Sequence, residues 1–163
     1  MGLDMSGLAL FTLFHVLLSI AGIVAGFVVL FGLWQGKSMG RWTTAFLFFT
    51  AATTFTGFLF PFKTITPALM VGTISTLLLV LAVVARYTFH MKGYWRSTYI
   101  VSALTAFYLN CFVFVVQAFM KVPALHLLAP NGNELPFALA QGAVLLFFLA
   151  TGVWAIRRLR PAL

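Results

Sequence analysis

The stretch YLNCFVFVVQAFMK, residues 108–121, sets the terms on which the chain is read. It continues an apolar run that begins near Ser97, yet Asn110 and Gln117 sit inside it. A carboxamide in hydrocarbon costs several kcal/mol unless it finds a partner. The two amides therefore either join helices or line a site, and both readings presuppose a bilayer.

The rest of the chain agrees with a bilayer. Of 163 residues, 63% are hydrophobic and only 7% are charged, and the mean hydropathy is +1.08. Soluble domains carry roughly 25% charged residues. The expected class is an all-α integral membrane protein, folded as one helical bundle over residues 1–163. The net charge of +8 does not imply nucleic acid, because the basic residues stand one to three at a time at the ends of apolar runs, with no basic face. Cys111 is the only cysteine, so no internal disulfide and no dithiol redox pair can form. The opening MGLDMSG has no Lys or Arg before the first apolar run, which reads as a retained helix and not a cleaved signal. MGLDMS also fits a myristoylation pattern, but an acyl chain adds little to a chain already embedded by several helices.

Five apolar runs are expected to span the membrane, over about 8–33, 42–60, 68–90, 97–120 and 137–156. Each is close to or longer than the ~20 residues that cross a ~30 Å core, and the first is long enough to tilt or protrude. Five spans put the termini on opposite sides. Lys37, Arg41, Arg86, Lys92, Arg96, Arg157, Arg158 and Arg160 all fall on one side. The other side holds Lys63 and Lys121 beside the two acids, Asp4 and Glu134. The basic side is inside, which predicts the N-terminus out and the C-terminus in. Trp34, Trp42, Tyr94, Trp95 and Trp154 lie near the inner ends as an aromatic belt. On the outer side Pro123, Pro130 and Pro136 break the long connection. VPALHLLA within it reads as a short interfacial turn bearing a surface histidine, His126.

Helical spacing then sorts the polar residues by face. Ala103, Ala106, Asn110, Phe114, Gln117 and Lys121 share one face of the fourth run. His15, Ser19, Gly22 and Gly26 share a face of the first, where Gly22 and Gly26 form a GxxxG pattern that admits a close helix. Thr50, Thr54, Gly57 and Pro61 align in the second, and Gly72, Thr76, Leu79, Val83, Arg86 and His90 in the third. In the fifth, Gln141 leads a face with Leu145, Phe148 and Gly152. His15 lies about 11 Å below the outer end of its helix at ~1.5 Å per residue, and Asn110 is slightly deeper on its own. His15, Thr54, Thr76, Asn110, Gln117 and Gln141 are thus expected in one polar layer in the outer half. The layer is either interhelical glue, at about 0.6 to 2 kcal/mol per amide, or a ligand site with a cavity. Arg86 and His90 belong to the inner side, where Arg86 can snorkel to phosphates. Lys121 reads as an interfacial anchor.

Much chemistry is missing from the sequence. No Asp or Glu lies in any run, which disfavours ion-coupled transport. His15 and His90 are at opposite depths and cannot share a haem iron, so a haem redox protein ranks last. No metal motif, GxSxG or phosphate loop occurs. The runs ARYTFHMKGYWR (85–96), YLNCFVFVVQAFMKVPALHLLAP (108–130) and LPFALAQ (135–141) resemble segments of small multi-spanning bacterial inner-membrane proteins that carry no assigned activity. That resemblance implies a multi-pass inner (plasma) membrane setting and carries over no catalytic residue. Two functions remain. The first is a non-catalytic accessory or scaffold subunit, its partners other membrane proteins and membrane lipids. The second is a binder of a small amphipathic molecule, such as a quinone or lipid, whose carbonyls suit His, Asn and Gln donors in an apolar cleft.

Overall fold

In the computed structural model, residues 5–37, 39–61 and 66–158 are described. Asp4, Lys63 and Arg160, which enter the charge asymmetry, lie outside them. The described residues form helices and connections, with no strand among them. The helices are α1 (Met5–Trp34), α2 (Gly40–Phe58), α3 (Pro67–Val83), α4 (Tyr94–Lys121), the one-turn α5 (Pro123–His126) and α6 (Leu135–Arg158), with a π turn at Val84–Thr88 directly after α3. Each apolar run lies on a helix. Four stretches are long and apolar enough to cross a membrane: Gly7–Trp34, Pro67–Thr88, Tyr94–Lys121 and Leu135–Arg158. The 19-residue α2 is a fifth long helix of lower apolarity, because it holds six threonines and Arg41.

The chain divides into two compact units, Met1–Thr76 and Leu77–Leu163. The first is built on an antiparallel hairpin of α1 and α2. A Schellman turn ends α1: Lys37 N–H bonds Gly32 O at 2.9 Å and Gly36 N–H bonds Leu33 O at 3.0 Å. Gly36 sits at φ 73°, a conformation that favours glycine. Gly22, Ala25, Gly26, Leu30 and Gly32 are the buried stripe of α1, as the glycine pattern requires. Against it α2 buries Thr43, Phe46, Leu47, Thr50 and Thr56. Phe11 stacks near Phe60, with ring centroids 4.9 Å apart, while a Cβ added to Gly32 would collide with Met39. These two contacts fix the register at both ends of the hairpin.

In the second unit α4 packs antiparallel to α6. Phe107 meets Phe148 edge-on at 5.0 Å, and Phe119 meets Phe137 at 5.4 Å. The buried stripe of α4 runs through Ile100, Ala103, Phe107, Cys111 and Phe119, and that of α6 through Phe148, Thr151 and Ala155. The stripes follow the expected faces in part: Ala103, Ala106 and Phe148 are buried, but Phe114 and Leu145 are exposed, 43% and 41%, and past Ala106 the burial on α4 passes to Phe107, Cys111 and Phe119.

The hairpin generates a prediction. Gly26→Leu places a large side chain in a buried stripe and should cost roughly 1–3 kcal/mol. Gly142→Ala adds a Cβ with nothing within 4 Å and should be neutral or stabilising by up to ~1 kcal/mol. Reversible unfolding in mixed detergent–SDS micelles reads both.

Candidate functional site

The six residues of the expected polar layer divide between the two units: His15, Thr54 and Thr76 in the first, and Asn110, Gln117 and Gln141 in the second. In the first unit His15 is held by α2. Its Nδ1 lies 2.8 Å from Thr56 Oγ1, and its ring stands edge-on to Phe60 at 5.2 Å. A Cβ on Gly57 would sit 3.6 Å from the His15 ring, so the glycine leaves room for the imidazole. The Thr56 hydroxyl also reaches Ala52 O at 2.8 Å and Thr53 O at 3.1 Å, and which partner donates in the His15–Thr56 bond depends on the imidazole tautomer. Thr56, not Thr54, is the partner. Helical spacing pointed to Thr54 and did not single out Thr56, whose meeting with His15 is set by how α1 lies on α2.

Thr54 donates to Thr50 O at 2.9 Å, and Thr76 to Gly72 O at 2.9 Å. Both hydroxyls satisfy their own helix, the ordinary fate of threonine in an apolar segment, and Thr76 is exposed.

In the second unit Gln141 Nε2 donates to Phe112 O, 3.1 Å away on α4. Its Oε1 is buried with no hydrogen-bond partner among the described residues. Asn110 is half-buried with a contact of its own, and Gln117 is half-buried further along α4. Gln141 thus acts as a tie between helices. Arg86, on the π turn, has its guanidinium carbon 5.6 Å from the ring centres of both Tyr87 and Tyr99. His90 follows in the turn, exposed, with Nδ1 3.1 Å from Thr88 O.

A cavity of ≈ 340 Å³ lies elsewhere in this unit, where α4, α5 and α6 meet. Val116, Phe119, Met120 and Phe137 supply its apolar wall, and His126 and Asn131 its polar edge. Neither Asn110 nor Gln117 lines it. Its position depends on how the proline-broken connection folds back over α4, which no helical periodicity encodes. That connection is pinned by Glu134. Its carboxylate accepts from Asn131 N–H at 3.0 Å, Asn131 Nδ2 at 2.8 Å and Asn133 N–H at 3.1 Å. Desolvation works to raise the Glu134 pKa, but the asparagine donors outweigh it and hold the carboxyl below its ordinary value.

Among the described residues, no three His, Cys, Asp or Glu side chains are grouped to hold a metal ion. No family model matches the chain, and no curated protein or solved structure matches it.

Two outcomes follow. Thr56→Val keeps the shape of the side chain and removes its oxygen, and should cost about 1 kcal/mol. A double-mutant cycle with His15→Phe should return most of that as coupling. For Glu134 the folded pKa is lowered, so its contribution is full above the unfolded carboxylate range. It is lost as pH falls through the folded value. Limited proteolysis within residues 127–134 should therefore accelerate once the pH falls below the ordinary carboxylate range, and Glu134→Gln should abolish that pH step.

Proposed function

We propose that this chain is a multi-pass subunit of a bacterial inner-membrane assembly, without chemistry of its own, that packs sideways against other membrane proteins. The observation that carries this reading is a stripe on α1. Leu10, Leu13, Leu17, Ile20 and Val24 are exposed, at 39% to 70%, and recur at alternating intervals of three and four. That is the spacing of a coiled-coil seam, which offers knobs to another helix. It lies apart from the glycine stripe already occupied by α2. The local satisfaction of the threonine hydroxyls adds support, since it leaves few polar groups to act on a substrate. The bacterial setting rests on the sequence resemblance of residues 85–96, 108–130 and 135–141.

In this reading α2 crosses the membrane as a fifth span, with the N-terminus outside and the C-terminus in the cytoplasm. Its 19 residues reach about 28 Å at ~1.5 Å each, close to the ~30 Å core. Five of its six threonines bond their own backbone, to Met39, Gly40, Phe49, Thr50 and Ala52, which lowers the polarity that composition alone assigns. Reporter fusions should give a cytoplasmic signal after Leu163 and an external one within residues 127–134. Four spans would instead bring both termini to one side.

The second reading is a binder of a small amphipathic molecule such as a quinone. The apolar cavity edged by His126 and Asn131 favours it over the Asn110–Gln117 layer as the place of binding. Native electrophoresis from mild detergent separates the two readings. The subunit reading expects an assembly well above the 17.9 kDa chain and its micelle, reduced by a combined Leu13→Ala, Leu17→Ala and Ile20→Ala variant. A single chain retaining a quinone would overturn it.

A further inference from the structure

Among the described residues, no carboxylate pairs with Arg86. Its Nε is buried with no hydrogen-bond partner among the described residues, while the tyrosine rings of Tyr87 and Tyr99 flank the guanidinium. The chain has two acids, and Asp4 lies outside the described residues. Glu134 is already engaged by Asn131 and Asn133. It also lies beyond Lys121 at the far end of α4, while Tyr99 is near the start. The 22 residues from Tyr99 to Lys121 span about 33 Å along the helix.

The local backbone is built to hold this arginine in place. Phe89 N–H bonds Val84 O at 3.1 Å, closing the π turn, and Met91 N–H reaches back to Ala85 O at 2.9 Å. His90 and Met91 stand at φ 51° and 56°, positions that cost non-glycine residues free energy. Phe89 stacks on Trp95 at 3.9 Å with planes 2° apart, which locks the turn onto α4. A π turn widens the helix by one residue and frequently occurs at functional sites.

We infer that the π turn and the start of α4 form a binding site for the phosphate of an anionic phospholipid, with Arg86 as its fork. The planar guanidinium matches phosphate oxygens in pairs. Lys92 and Arg96, on the turn and the first turn of α4, add positive charge for a headgroup of net negative charge. The ligand is a lipid and not a soluble anion because the approach is apolar: Leu81, Val83, Tyr87 and Phe89 are all exposed, at 40% to 48%. The tyrosines and Trp95 are the residue types that gather at headgroup level. The inference is independent of which side of the membrane holds the turn and of the subunit reading.

The test uses delipidated full-length protein in neutral detergent, with binding followed by native mass spectrometry and by the thermal midpoint. Phosphatidylglycerol should bind roughly tenfold more tightly than phosphatidylcholine, the effect of one charge-assisted contact, and should raise the midpoint. Arg86→Gln should erase the preference. Arg86→Lys, which keeps the charge but not the fork, should retain only part of it and serves if the glutamine variant does not fold. Arg158→Gln should leave it intact. Equal binding of both lipids by the native chain would overturn the proposal. So would full retention in Arg86→Lys or Arg86→Gln, loss in Arg158→Gln, or displacement by millimolar inorganic phosphate.

Discussion

A hydroxyl or amide inside an apolar helix has no water to turn to, and the rest of this structure depends on that constraint. Ten described hydroxyls answer it within their own helix, each donating to the carbonyl four residues before: Thr12, Thr43, Thr44, Thr53, Thr54, Thr56, Thr73, Thr76, Thr98 and Ser102. Other polar groups reach across to a neighbouring helix. His15 ties α1 to α2 through Thr56, and Gln141 ties α6 to the backbone of α4 at Phe112. With these hydroxyls met this way, packing falls to small residues and aromatic edges. Glycines hold one hairpin together, and Phe107 against Phe148 centres the other.

The helices were legible in the sequence because apolar runs of this length have one backbone solution in a bilayer, and composition was enough to find them. The Gly22–Gly26 stripe was equally plain, since a small residue every fourth position has a direct steric meaning. The fine placement was not legible. Helical spacing names a face but not a register, so it offered Thr54, on the face of Thr50 and Gly57, and missed Thr56, which meets His15. It also assumed that Phe114 and Leu145 pack inward, whereas both are exposed. The π turn carries no periodic signal, since one extra residue resets the phase on which such reasoning relies. The cavity at α5 depends on how the proline-broken connection folds back over α4, which is tertiary in origin, while the three hydrogen bonds to Glu134 that pin the connection are local.

The division of the candidate residues bears on function. Thr54 and Thr76 bond their own backbone and have little left to offer a ligand. Gln141 serves as a tie between helices. Arg86 stands apart: it is half-buried with its Nε enclosed, no carboxylate among the described residues matches it, and a strained turn follows it. An arrangement that costs conformational free energy and leaves a cation without a carboxylate among the described residues is hard to account for as packing alone, whereas a glutamine bonded to a neighbouring carbonyl needs no other explanation.

The threonines of α2 have a further consequence, for how the chain is made. In the five-span arrangement α2 must leave the translocation machinery for lipid with six threonines and an arginine in its 19 residues, a poor credential for a segment judged alone. Its hydroxyls become tolerable only once the helix has formed and their carbonyl acceptors are in place. Its buried face becomes tolerable only once α1 lies against it. The Schellman turn at Gly36 leaves only a handful of residues between the two helices, so α1 is already at hand when α2 emerges. The two segments would then enter the bilayer together as a preformed helical pair, the strongly apolar first helix carrying the second.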